Sequence, residues 1–259
     1  MKLGFIGFGN MAQALARGLV AGGALPAEAI GACARDAEKL GRNAARIGIR
    51  PLATVDEVLD FADMVVVAVK PHQVEKVLAP VREPLARKVV VSVAAGWTFD
   101  RYEGLLAAGT AHISTVPNTP VAVCEGIVVC ERRHSLDAGQ WRAFERLFGC
   151  VGLVQAVDTP LLSVAGTVCG CGPAFAALFV EALADAAVKH GIARETAYRM
   201  VSQMLVGTGR LQLATGQHPG AMKDAVCSPG GTTIRGVAEL EQRGLRGAVI
   251  AAVDAIEGE

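Results

Sequence analysis

The sequence predicts an α/β chain: a doubly wound, largely parallel sheet over residues 1–157, followed by an all-α domain over 158–259. Three observations predict it. Short apolar runs recur through the first half, several of them continuous and β-branched, such as "MVVVAV" and "VVVSV". Unbroken hydrophobicity marks strands covered on both faces, whereas one-sided strands alternate. Helical patterns separate most of these runs, which makes βαβ units. After Asp158-Thr159-Pro160 only helical patterns remain.

The expected strands are Lys2–Gly7, Ile30–Ala34, Met64–Val69, Val89–Val93, Ala111–Thr115, Ile127–Cys130 and Gly152–Ala156. In the second half, "PAFAALFVEALADAAVKHG" opens on Pro173 and closes on Gly191, the ordinary punctuation of a helix. Its charges Glu181, Asp185 and Lys189 form one narrow polar stripe on an apolar cylinder. Such a helix must be covered nearly all round. The domain is thin for that task, so a homo-oligomeric interface is expected there. A second long helix is expected at about Glu195–Ala214.

Composition excludes several classes. Lys plus Arg and Asp plus Glu are 25 each, so nothing favours nucleic acid or an anionic membrane surface as partner. Gly7, Gly9 and Asn10 break the N-terminal apolar run too early for a secretory signal. No apolar stretch of membrane-spanning length is expected. The seven cysteines lack C-x-x-C spacing, and Cys169-x-Cys171 alone is a weak metal signal, so no metal site is expected. They read as small buried residues of a reduced, cytoplasmic protein.

"FIGFGNMAQAL" reads as strand, tight turn and helix, with Gly7, Gly9 and Ala12 fitting G-x-G-x-x-A. This is the dinucleotide fingerprint of the Rossmann fold, in the context it requires. Gly7 makes the turn, Gly9 admits the pyrophosphate, and Ala12 packs helix on strand; Asn10 and Met11 open the helix beneath the phosphates. The second strand ends in Cys33-Ala34 without an acid, and Arg35 follows. A carboxylate there would repel a 2′-phosphate and a guanidinium would pair with it, so NADPH is favoured over NADH. Asp36 reads as the cap of the next helix.

Four loops leave strands on the ligand-binding edge of such a sheet: "GFGNM", "KPHQ", "AAGW" and "PNTP". They add Ala68, Lys70, Pro71, Ala95 and Asn118 to the candidate cofactor contacts. Lys70 fits a phosphate or substrate carboxylate and fits a helix cap equally well. A further polar turn, Ser228-Pro229-Gly230-Gly231-Thr232-Thr233, precedes "TIRGVAELEQRG". Free amides at a helix start hold anions. With the diphosphate served by the first loop, the remaining anion is a substrate carboxylate. The five histidines are scattered, and neither G-x-S-x-G nor H-E-x-x-H occurs. Hydride transfer to an already protonated imine needs alignment more than a side-chain acid.

These motifs, "GFGNMA", "AVKPHQ", "VSVAAG", "VPNTP", "GCGPAF" and "KDAVCSPGGTTIRGVAELE", resemble those of pyrroline-5-carboxylate reductases nearly end to end. The resemblance implies NAD(P)H-dependent reduction of the C=N bond of 1-pyrroline-5-carboxylate to L-proline. It implies a Rossmann domain and a helical domain that dimerises, often with dimers gathered into a decamer. It implies that Ser228, Gly230, Gly231, Thr232 and Thr233 grip the substrate, with Thr233 as the catalytic hydroxyl near the ring nitrogen. Lys70, Pro71 and Asn118 would lie at the nicotinamide end. Ser114, Thr159 and Cys171 stand where the family usually has Arg, Glu and Ser. Other readings are a reductase of a related cyclic imine, a β-hydroxyacid dehydrogenase using Lys189, and a non-catalytic dinucleotide-binding paralogue.

Overall fold

The computed structural model describes residues 1–258. Eight strands form one sheet: β1 Leu3–Ile6, β2 Ile30–Cys33, β3 Arg50–Pro51, β4 Met64–Val67, β5 Val89–Ser92, β6 Ala111–Pro117, β7 Gly126–Glu131 and β8 Gly152–Val157. Their spatial order is β3-β2-β1-β4-β5-β6-β7-β8. Every pairing is parallel except β6 with β7. The order reverses direction between β1 and β4, the switch point at which doubly wound sheets open a crevice. All seven predicted strands are present. The eighth, β3, is two exposed residues with no apolar run to announce it.

The continuous apolar runs work as expected, feeding two cores at once. Along β4, Met64 and Val66 pack with Leu15, Leu19, Phe144 and Phe148 on one face. Val65 and Val67 pack with Val58, Leu78, Leu85 and Tyr102 on the other. Strand side chains alternate faces, so a strand buried on both sides must be apolar at every position.

By compactness the chain falls into two units, Met1–Pro173 and Ala174 onward. The last strand ends at Val157, yet residues 158–173 stay with the sheet. Thr159 Oγ1 donates to Glu131 Oε1 at 2.5 Å, and Asn118 Nδ2 donates to the Cys169 carbonyl at 3.1 Å. These bonds tie helix Leu162–Gly166 and the π-helical turn Thr167–Cys171 to the sheet.

The second unit contains helices Arg194–Thr215, Pro219–Ala225, Thr232–Gln242 and Leu245–Glu257, with most of helix Gly172–Lys189. Its buried cluster is small: Ala184, Ala197 and Val201. Leu178, Leu183, Met200, Leu211, Leu213, Val249 and Ile250 are exposed in the single chain. The coverage expected around helix Gly172–Lys189 is therefore not supplied by its own chain. The structure also corrects the expectation that no apolar stretch reaches membrane-spanning length. Among the described residues one helical run, Thr159–Lys189, does so by length and composition, with mean hydropathy 1.7 over its most apolar 18 residues. The π-helical turn carries the chain through Gly170-Cys171-Gly172 without a break and joins two shorter apolar pieces into one.

Candidate active site

The first glycine turn has the geometry that its sequence requires. Gly7 sits at φ +92°, and a Cβ there would lie 2.8 Å from the Ala68 carbonyl oxygen. Only glycine fits both demands. This contact seats Ala68, at the end of β4, against the turn that leaves β1, which is the switch point of the sheet. Gly9 is the N-cap of helix Asn10–Ala21, and a Cβ there would meet no protein atom within 4 Å. The first intrahelical bond is from Gln13 N to the Gly9 carbonyl, so the amides of Asn10, Met11 and Ala12 have no helical acceptor. No side chain caps them, and no acid stands in the first turn. The helix start presents bare donors and a positive dipole end to an anion. Ala12 is fully buried against the strand.

Arg35 follows β2, exposed and without a partner among the described residues. Asp36 is engaged as the next helix's cap, its carboxylate accepting from Lys39 N at 2.9 Å. The acid that follows β2 is therefore occupied, and the guanidinium beside it has no partner among the described residues. The residues present fit a 2′-phosphorylated dinucleotide.

β4, β5 and β6 lie side by side next to β1, so their loops leave the same edge. Lys70 is exposed, its ammonium without a partner among the described residues, and Ala95 is exposed. The Pro71 carbonyl accepts from Trp97 Nε1 at 2.8 Å, which joins two of these loops. Asn118 is placed differently from the other candidates. Its amide is 9% exposed; Nδ2 donates to the Cys169 carbonyl while Oδ1 accepts from Ile127 N at 2.9 Å. Its side chain braces the loop after β6 from within.

The polar turn of the second unit is a second bare helix start. Gly231 is the N-cap of helix Thr232–Gln242, again with no side-chain cap. Gly230 takes φ +70°. The Gly231 amide donates to the Ser228 carbonyl at 3.0 Å, and a Cβ on Gly231 would fall 2.4 Å from Ser228 Oγ. Gly231 therefore shapes the turn, while the amides of Gly230, Thr232 and Thr233 find no acceptor among the described residues. Neither threonine serves as the cap; both hydroxyls are exposed beside those amides. A small carboxylate fits these donors, with a hydroxyl alongside for a neighbouring polar atom.

One buried charge escaped the sequence reading. Glu131, at the end of β7, is fully buried, and its carboxylate accepts from Phe99 N at 2.6 Å and from Thr159 Oγ1. Ser114, on β6, is buried as well, and its Oγ has no partner among the described residues. The lone signal in the sequence is an acid closing the apolar run "GIVVCE".

Residues 160–258 match the family model described as pyrroline-5-carboxylate reductase dimerisation, and residues 2–96 match NADP oxidoreductase coenzyme F420-dependent. The chain is 46% identical to the pyrroline-5-carboxylate reductase of Treponema pallidum, over 98% of each chain. It belongs to the pyrroline-5-carboxylate reductase family. The enzyme of that name from Escherichia coli is 37% identical over 97% of this chain and 94% of its own. The crystal structure of Plasmodium falciparum pyrroline carboxylate reductase with NADP bound superposes with a TM-score of 0.87, at 27% identity, over 99% of this chain and 95% of that one. Like its family, the chain is an NADP-dependent oxidoreductase with a dimerisation domain. This membership overrides the β-hydroxyacid dehydrogenase reading; Lys189 is an exposed residue at the end of its helix.

Proposed function

We propose that this chain reduces 1-pyrroline-5-carboxylate to L-proline with NADPH. The observation that carries the proposal is the uncapped helix start at Gly231, which offers free amides and two free hydroxyls in the sequence Ser228–Thr233. The diphosphate rests on the amides of Asn10, Met11 and Ala12, with Gly7, Gly9 and Ala68 shaping that turn. Arg35 pairs with the 2′-phosphate, and Lys70, Pro71 and Ala95 line the way to the nicotinamide. NADPH supplies the hydride that adds to the imine carbon. The substrate carboxylate is held by Gly230, Thr232 and Thr233 amides, with Ser228 and Gly231 fixing the turn. The Thr233 hydroxyl hydrogen-bonds the ring nitrogen, which gains the electron pair of the C=N bond as the carbon is reduced. Because the iminium enters already protonated, no titrating side chain is needed, and binding energy is spent on alignment. NADH serves as the weaker donor, since it lacks the phosphate that Arg35 meets.

A homodimer is the assembly unit of this proposal, and a decamer of five dimers is the larger assembly implied by the motif resemblance. Apolar side chains left exposed in the second unit support the former. All seven cysteines are free, which suits the reducing cytoplasm. The test is consumption of NADPH by the purified chain with 1-pyrroline-5-carboxylate, and formation of proline in equal amount. Turnover only with a different cyclic imine, or binding of NADPH without turnover, would contradict it.

A further inference from the structure

We propose that Trp97 is a positioning residue for the dinucleotide: its indole N–H fixes the loop after β4 against the loop after β5. The proposal rests on the reading that Lys70, Pro71 and Ala95 line the cofactor site. Trp97 is buried, and Nε1 donates to the Pro71 carbonyl at 2.8 Å. Its own amide donates to the Ala94 carbonyl at 3.2 Å, which closes the turn around Ala95 and Gly96. Arg101 covers the outer face of the indole, 4.3 Å from the ring centroid, and its Nη1 donates to the Gly96 carbonyl at 2.8 Å. Tyr102 packs against the same indole, with ring centroids 5.1 Å apart. The Tyr102 hydroxyl and the Ala94 amide both bond Ser92 Oγ, at 2.7 and 3.2 Å.

Each of these contacts restrains the segment 92–97, and only the Trp97 indole N–H reaches the neighbouring loop at Pro71. A phenylalanine would fill the same space between Tyr102 and Arg101 but would leave the Pro71 carbonyl with its Val74 N–H bond alone, and nothing to tie it to the loop after β5. The Lys70 carbonyl accepts from Gln73 N at 2.8 Å, which closes the turn at Pro71 on itself, while the Lys70 ammonium has no partner among the described residues; the indole bond is what holds this turn against the loop after β5. Fixing both loops beforehand removes an ordering cost from cofactor binding.

Trp97→Phe is the direct test, read as the dissociation constant of NADPH by fluorescence titration in the absence of substrate. Loss of one hydrogen bond between uncharged groups predicts a rise of about fivefold. The KM for 1-pyrroline-5-carboxylate should stay within about twofold, because no substrate contact changes. Arg101→Ala, at an exposed position, is the companion that folds even if the tryptophan variant does not. It should weaken NADPH in the same direction. Lys70→Ala separates the proposal from the reading beneath it. If Lys70→Ala weakens NADPH while Trp97→Phe and Arg101→Ala leave it unchanged, the positioning role is refuted. If all three leave NADPH binding unchanged, the loop after β4 is not part of the cofactor site.

Discussion

In the proposed reaction Thr233 is the one side chain assigned to the reacting ring, through a hydroxyl rather than a titrating group. Thr233→Ala should lower kcat by the loss of a bond to a charged partner, about 1.5–3 kcal/mol or roughly 10- to 150-fold. NADPH affinity, measured by fluorescence titration, should remain as in the parent. A variant that lost cofactor binding would place this turn in the dinucleotide site. Arg35→Asp addresses the other end. Replacing a free guanidinium by a carboxylate should invert the NADPH/NADH ratio of kcat/KM, and an unchanged ratio would make Arg35 a solvated charge. Both assignments rest on local chemistry: a glycine-rich turn, and an arginine after the second strand that has no partner among the described residues. The hydrogen bonds that Asn118 and Glu131 make have no such local signal. What each does depends on partners far along the chain, at Cys169 and at Phe99 and Thr159. No local pattern encodes such pairings.

The element on which cofactor binding turns in the proposed reading is the β1 turn with its bare helix start. Gly7→Ala forces a left-handed backbone onto a residue with a Cβ and drives that atom toward the Ala68 carbonyl. The strain alone costs about 1–3 kcal/mol, so the thermal midpoint should fall by several degrees and NADPH should bind more weakly. A variant with the parent's midpoint and affinity would mean that the turn relaxes freely. The strands were readable for the same physical reason that they are stable. Burial on both faces demands apolar residues at every position, and a run such as "MVVVAV" has few other uses. The π-helical turn at Thr167–Cys171 had no such signature, since Gly170-Cys171-Gly172-Pro173 reads as a break rather than a continuation. Missing it hid the length of the apolar helical run.

At the scale of the whole molecule, the second unit carries more apolar surface than its own core can use. Three small buried residues do not hold five helices together, so its stability is coupled to assembly. The thermal midpoint should rise with protein concentration. Leu178→Glu, which places a charge on the exposed apolar face of helix Gly172–Lys189, should give monomers by light scattering and lose cooperative unfolding of the helical part. Unaltered assembly in that variant would remove this face from the dimer contact. The central claim is that bare amides at two helix starts divide the anions of the reaction, one set taking the dinucleotide's diphosphate and the other the substrate's carboxylate. A crystal structure with NADPH and L-proline tests it most directly. The account predicts the proline carboxylate within hydrogen-bonding distance of the Gly230, Thr232 and Thr233 amides, and the diphosphate on those of Asn10, Met11 and Ala12. A carboxylate held instead by basic side chains, away from the Ser228–Thr233 turn, would contradict it.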